Sequence, residues 1–228
     1  MSSAFDQYDK SYQRVVQDSI AFSGLKHDFF LQAKVQRLEA LFARHFGDVR
    51  PALADIGCGV GGMHRLLQPI CSAIAGSDPS GDCIAQARAE NPGVEYVQAD
   101  GQKLPWVDGA FDVSLAVCVY HHVVPGERAA LVGEMRRIVR PGGLVVIIEH
   151  NPWNPLTRLA VMRCPFDHDA VLLDWREAGA LLADAGLGTT VTEHFLLMPF
   201  ANAAAARIEG VFGGLPFGAQ YMTAGHVK

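Results

Sequence analysis

Paired cysteines, a long apolar run and a basic stretch are all missing from this chain, and each absence removes a class of function. The five cysteines, Cys58, Cys71, Cys83, Cys118 and Cys164, are widely spaced, and no Cys-x-x-Cys pair offers a zinc or redox centre. A reducing, cytoplasmic setting fits them, and no metal is expected. The N-terminus reaches Asp6, Asp9 and Lys10 without a basic region, apolar core and small-residue cleavage site, so no secretory signal is expected. The longest weakly charged apolar stretch, residues 195–206, is broken by Pro199 and Asn202 and falls well short of the ~20 residues that cross a bilayer, so no membrane span is expected. Lys and Arg number 19 against 24 Asp and Glu, a formal charge of -5, and the basic residues are scattered. That distribution disfavours phosphate neutralisation and hence a nucleic-acid partner. No internal repeat or low-complexity tract is present.

What remains is a chain of 228 residues, half of them apolar, which suffices for one α/β domain with a substantial core. Leu31, Val35, Leu38, Leu41, Phe42 and Phe46 recur at three- and four-residue intervals, predicting a helix from near Asp28 that Gly47 and Pro51 end. Residues 53–56 read as a short buried strand running into Gly57, Gly59, Gly61 and Gly62, with a helix opening at 63–67. The alternation continues with a strand at 72–77, a helix at 80–90 and a strand at 94–99. After the Asp108-Gly109 turn come a strand at 111–118, a helix face formed by Leu131, Val132, Met135, Ile138 and Val139, a stop at Pro141-Gly142-Gly143, and a strand at 144–148.

This order implies an α/β fold with a doubly wound, mostly parallel sheet and helices on both faces. Beyond Asn151 the pattern reads as a connection punctuated by Asn154, Pro155 and Pro165, a helix over about 174–185, a strand at 189–197, a helical or irregular segment at 203–212, and a strand at 220–227. We divide the single domain into an N-terminal helical cap (1–50), a cofactor-binding core (51–150) and an acceptor-side and C-terminal strand region (151–228).

Glycines between a strand and a helix let the chain turn sharply and let the backbone approach a ligand at a helix N-terminus. Gly57, Gly59 and Gly62 also fit the dinucleotide pattern Gly-x-Gly-x-x-Gly, so the turn alone leaves two cofactor classes open. Two further acids narrow the choice. Asp78, before Pro79, ends the second strand about 20 residues after the turn, where ribose hydroxyls are held. Asp100, before Gly101, ends the third, where a carboxylate can accept from an adenine amino group.

Asp55 to Gly61, Asp78, Asp100 and Arg140-Pro141-Gly142-Gly143 in combination resemble the class I, Rossmann-like S-adenosylmethionine-dependent methyltransferases over most of the chain. That resemblance implies a seven-stranded sheet ending in an antiparallel strand pair, S-adenosyl-L-methionine as cofactor and a small-molecule acceptor. The implied cofactor contacts are Asp55, Gly57, Cys58, Gly59, Gly61, Asp78, Pro79, Asp100, Gly101 and Val117, with Tyr8 and Lys34 from the N-terminal cap. Tyr8 and Tyr12, the helix holding Phe29, Phe30 and Lys34, residues 164–173 and residues 218–221 are similar to a bacterial subgroup of small-molecule methyltransferases.

Several of these residues also have purely structural readings. Asp55 can tie the glycine-loop amides, Asp78 can cap the following helix, Asp100 can be a turn acid, and Cys58 can fill space. Lys34 can be solvated, and Tyr8 with Tyr12 can either cover the pocket or pack on the surface.

On the acceptor side, Tyr120-His121-His122-Val123 follows the fourth strand and resembles a segment that faces the pocket in many small-molecule methyltransferases. His121 and His122 are the candidate general bases for an in-line displacement. The alternative is that His121 packs beside the cofactor and His122 caps the next helix. His150 and Asn151 end the fifth strand with the same ambiguity. Asp167, His168 and Asp169 could with His150 suggest a metal site, but adjacent residues seldom point one way and these lie in a Pro-containing loop, so they are expected to be solvated or capping.

Two other functions remain open at this level: an NAD-dependent oxidoreductase, disfavoured by the lack of Tyr-x-x-x-Lys, and a cofactor-binding protein without turnover. The sequence does not separate monomer from homodimer.

Overall fold

The structure is a computed structural model that describes Gln17, Asp18, Ile20, Ala21, Gly24 and residues 26–188, 190–197 and 215–228. Tyr8, Tyr12 and the segment 203–212 lie outside the described residues. The elements in chain order are α1 (His27–Phe46), β1 (Ala52–Ile56), α2 (His64–Leu67), β2 (Ala73–Asp78), α3 (Gly81–Glu90), β3 (Glu95–Gln98) and β4 (Phe111–Val117). They continue with α4 (Arg128–Arg137), β5 (Val139–His150), α5 (Pro155–Arg163), α6 (Trp175–Asp184), β6 (Thr190–Phe195) and β7 (Gln220–His226). The seven strands form one sheet in the order β3-β2-β1-β4-β5-β7-β6. The first five in that order are parallel, and β7 pairs antiparallel with both β5 and β6.

The near-continuous apolar runs of the central strands follow from burial on both faces. Leu53, Val113, Leu115, Leu144, Val146 and Ile148 point to one side, where the α1 stripe of Val35, Leu38, Leu41 and Phe42 covers them. Their alternates Ala54, Ile56, Ala116, Val145 and Ile147 point to the other, under Leu131, Val132 and Met135 of α4 and Ala178 and Leu182 of α6. Gly47, at φ 63°, ends α1 as expected.

Chain direction reverses its lateral order at β1, with β2 on one side and β4 on the other. That is the switch point at which open parallel sheets leave a crevice beyond their carboxyl ends.

Two readings of the sequence need correction. Pro141-Gly142-Gly143 does not stop a helix: α4 ends at Arg137, and the three residues form an irregularity inside β5, where pairing jumps from Phe111↔Val139 to Val113↔Leu144. The segment after Asn151 is not a plain connection either, because α5 fills it. Asn154 accepts from the Leu156 and Thr157 amides, with Pro155 beside it in the first turn, an N-cap and proline pair that marks a helix start. The third strand is also short, so Asp100 lies two residues beyond its end at Gln98.

Among the described residues, no helix is long and apolar enough to cross a membrane.

A Cβ on Gly143 would sit 2.4 Å from the Asp112 carbonyl oxygen and 2.5 Å from Val139 Cγ1, contacts the backbone cannot easily relieve. Gly143→Ala is therefore expected to cost ~1–3 kcal/mol. Gly133, inside α4 with nothing within 4 Å of its Cβ position, should give the opposite sign. Gly133→Ala is expected to stabilise by ~0.4–1 kcal/mol. Paired urea melts check both; equal midpoints for the two variants would contradict this account of the β5 irregularity.

Candidate active site

The glycine turn is drawn onto the tip of β2 by two amides, Gly57 N and Cys58 N, which both donate to the Ser77 carbonyl at 2.7 and 2.9 Å. Gly57, Gly59 and Gly61 take φ of 71°, 53° and 69°, where a side chain is strained. The spaces around them differ. A Cβ on Gly61 would meet the Tyr96 hydroxyl at 2.5 Å, whereas nothing protein-borne lies within 4 Å of the Cβ position of Gly59. Gly61 therefore packs, and Gly59 leaves backbone open to approach.

Cys58 fills the gap above Gly76, whose Cβ position is 2.8 Å from the thiol sulfur. Burial, with the Asp55 and Asp78 carboxylates adding to it, pushes this thiol far above its ordinary range, so it is not a nucleophile.

Asp78 joins the turn to the next helix. Its Oδ2 accepts from Gly59 N at 2.9 Å and its Oδ1 from Ser80 N at 2.9 Å, while Ser80 itself caps α3 through Cys83 N. Asp78 therefore does not cap the helix, as its structural reading had it, but holds the cap residue in place from the cavity rim. Asp100 accepts from Gln102 N at 3.0 Å, and Gly101 turns at φ 80°.

Asp55, on the cavity wall, does not play the structural part expected of it. Its Oδ2 takes Nε2–H of His64 at 3.0 Å, and the other ring nitrogen faces the Tyr96 hydroxyl at 2.5 Å. Its Oδ1 is sealed from solvent with no hydrogen-bond partner among the described residues. Asp55 therefore does not tie the loop amides but props the turn from beneath through His64. No local pattern betrays this, because the partners lie 9 and 32 residues apart in sequence. Lys34, expected to be solvated unless it serves the site, is buried at 6% exposure and borders the same cavity.

At the other end, Tyr120–His122 form a single helical turn after Cys118, which bends the chain at φ 56°. Glu149, absent from the sequence reading, organises this turn. It has no solvent exposure and accepts from Tyr120 N at 2.7 Å, from His121 Nδ1 at 2.8 Å and from His150 N at 3.1 Å. A carboxylate hidden in an all-apolar β5 run is one polar residue among many apolar ones; only its place beside the strand tip signals a role.

Asp167 also departs from expectation. It turns inward, with Oδ1 3.4 Å from Nε2 of both His121 and His122, while the neighbouring His168 and Asp169 are exposed and pair with each other. His122 caps nothing, since α4 begins without a side-chain cap. Buried Arg128 braces the turn from behind, reaching the Tyr120 carbonyl, the Val171 carbonyl and Glu177.

Charge is uneven across the three histidines. Burial opposes charge on His121, but the Glu149 carboxylate and the hydrogen bonds to Asp167 and Glu149 outweigh it, so its pKa is raised well above 6.5. Burial and then the charge of His121 hold His122 and His150 down at about 4. Burial pushes Glu149 up, yet His121 pulls it net down to about 2.

Both ends open into one cavity of about 840 Å³. Its walls include Gly57, Cys58, Gly59, Asp78, Pro79, Asp100, Gly101 and Val117 at one end, and His121, His122, His150 and Asp167 at the other, with Asp55 and Lys34 along the side. The structure thus brings together the described candidate cofactor and base residues except Gly61, which packs behind the loop, and leaves Asn151, His168 and Asp169 off the cavity wall.

Residues 54–147 match the methyltransferase domain family. A methyltransferase of Synechocystis sp. is 27% identical over 147 residues, covering 61% of this chain and 68% of that one. The malonyl-[acyl-carrier protein] O-methyltransferase of Pseudescherichia vulneris is 28% identical over 183 residues, covering 79% and 68%. Among solved structures, a SAM-dependent methyltransferase of Thermotoga maritima, described as a possible histamine N-methyltransferase, superposes with a TM-score of 0.71 at 19% identity, covering 98% of both chains. The antiparallel β7 beside β5 also departs from the classic dinucleotide-binding order, which removes the ambiguity of the glycine pattern. Residues 54–147 thus carry a methyltransferase domain, and the chain has the class I, Rossmann-like methyltransferase fold along nearly its whole length.

Proposed function

We propose that this methyltransferase acts on a small molecule held in the same cavity as its cofactor, with the acceptor facing the histidine end. The observation that carries this reading is the continuity of the cavity from the Gly59–Asp78 rim to His122. A volume of about 840 Å³ lies within the range of small-molecule sites and suits a cofactor plus a compact acceptor.

The residues at the rim fit S-adenosylmethionine. Open backbone at Gly59 suits close approach, Asp78 and Asp100 supply acceptors for hydroxyl and amino groups, and Lys34 supplies a cation for a carboxylate. Asp55 contributes from beneath by holding the loop. When bound, the cofactor supplies an electrophilic methyl group on a sulfonium.

The chain's own contribution is then alignment, exclusion of water and, for an acceptor bearing O–H or N–H, removal of a proton. His121 is ill suited to take that proton, because two carboxylates already hold it charged. His122 is the better base. It is neutral near pH 7 and borders the cavity, and with Nε2–H turned to Asp167 it receives a proton at Nδ1, after which Asp167 stabilises the imidazolium. This is the orienting-acid arrangement of a base and its carboxylate.

Incubation with S-adenosylmethionine and a panel of small phenols, amines and carboxylic acids should yield S-adenosylhomocysteine with at least one acceptor. Methylation of RNA or protein alone, or calorimetric binding of NADH, would contradict the proposal. Asp78→Ala should weaken S-adenosylhomocysteine binding by ~1–3 kcal/mol, roughly 5- to 150-fold in Kd. His122→Ala should lower kcat at least tenfold while leaving that Kd within about twofold; a reversed pattern would remove the base from His122.

The charge pattern also sets a pH dependence. His122 and His150, at about 4 when folded, bind protons near 6.5 when unfolded, and His27 is held down to about 4 by burial and Lys34 in the same way. Their contribution is present above 6.5 and is lost as pH falls through about 4, at up to ~1.4 kcal/mol per pH unit for each group. His121 acts oppositely: its contribution is complete below 6.5 and fades as pH rises through its raised value. His194, held down by burial, acts in the same direction as His122, His150 and His27, so four groups oppose one and the urea midpoint should be lower at pH 5 than at pH 7. His150→Gln should narrow that difference, and no narrowing would count against a neutral His150.

A further inference from the structure

The histidine end of the cavity holds more coordinating groups than a general base requires. His121, His150 and Asp167 present ligand atoms that all lie within 4.8 Å of one another, and each borders the cavity. They come from three separate segments: the turn after β4, the tip of β5 and the loop after α5. We propose that these three residues form a binding site for a divalent first-row transition-metal ion, whose remaining positions face the cavity and take an oxygen of the methyl acceptor. The metal site rests on the methyl-transfer reading only for that second clause.

Three features argue for a built site rather than a chance cluster. The first is the donor set, two imidazoles and one carboxylate, which suits ions such as Fe(II), Co(II) or Zn(II) and leaves positions open. Mg²⁺ and Ca²⁺ prefer oxygen alone. The second is Glu149. A metal-bound histidine characteristically directs its other ring nitrogen to a carboxylate, and His121 Nδ1 meets Glu149 at 2.8 Å, leaving Nε2, whose proton the ion displaces to solvent, toward Asp167. Glu149 is itself fixed by the Tyr120 and His150 amides, so one buried carboxylate orients the backbone of both histidine segments.

The third is spacing. His121 Nε2 and Asp167 Oδ1 are 3.4 Å apart, the separation that two donors ~2.1 Å from a tetrahedral ion adopt. His150 keeps a ring nitrogen within 4.8 Å of both donors, and its ring centroid lies 5.1 Å from that of His121.

Such an ion would explain why an ordinary base pair is embedded in so many titratable groups. An acceptor hydroxyl bound to it gives up its proton to His122 Nδ1. The resulting oxygen forms the O–C bond as the S–C bond of the sulfonium breaks, and its electron pair leaves on a neutral thioether. Acceptors carrying a hydroxyl beside a carbonyl or second hydroxyl, able to bind through two oxygens, are the class favoured.

The test uses the full, tag-free chain after treatment with a chelator, titrated with Co(II) by visible absorption and with Zn(II) by calorimetry. S-adenosylhomocysteine binding is measured on the same samples. One ion per chain should bind, with affinity at least about tenfold weaker in His150→Ala and in Asp167→Asn, two variants that leave the Glu149–His121 pair intact. Absence of binding, or equal affinity in both variants and the parent, overturns the metal site. If S-adenosylhomocysteine still binds in that case, the methyltransferase reading stands; if it fails to bind while metal does, the cofactor reading falls and the metal site remains.

Discussion

A parallel sheet brings all of its strand ends to one edge, and there the chain leaves the ladder with main-chain amides that no neighbouring strand can satisfy. In this protein, acidic side chains satisfy them. Asp78 takes the Gly59 and Ser80 amides, Asp100 that of Gln102, and Glu149 those of Tyr120 and His150. The carboxylates are therefore consequences of the fold before they are features of a site. Because each turn at this edge is fixed by a charged group, the cavity above the sheet acquires both its shape and its negative character from one constraint.

Much of this was legible in the sequence because it is local. The strand at 53–56, the glycines after it, Ser80 before α3 and the stripe of α1 are all short-range patterns, and the structure follows them to within a residue or two. The α5 start was equally local: Asn154-Pro155 is a cap signal masked by reading proline only as a breaker. The Pro141-Gly142-Gly143 error has a different origin, because turn residues also serve irregular strands and only the β4 pairing distinguishes the cases. The buried networks were out of reach. His64 finds Asp55 and Tyr96, and His121 finds Glu149 and Asp167, across separations that carry no periodic signal.

The adjacent histidines illustrate why residue type alone could not assign chemistry. His121 and His122 share a sequence context, yet Glu149 and Asp167 both flank the first, whereas Asp167 approaches the second at 3.4 Å. Once His121 is charged, it makes a second charge at His122 or His150 costly, so the three cannot titrate as equals. Glu149 is what breaks the symmetry. Its own burial without exposure is tolerable only because two amides and an imidazole meet it, and that requirement fixes which imidazole carries the proton. A structural demand of the β5 tip thereby leaves one neutral imidazole, His122, on the cavity wall beside a charged one, His121.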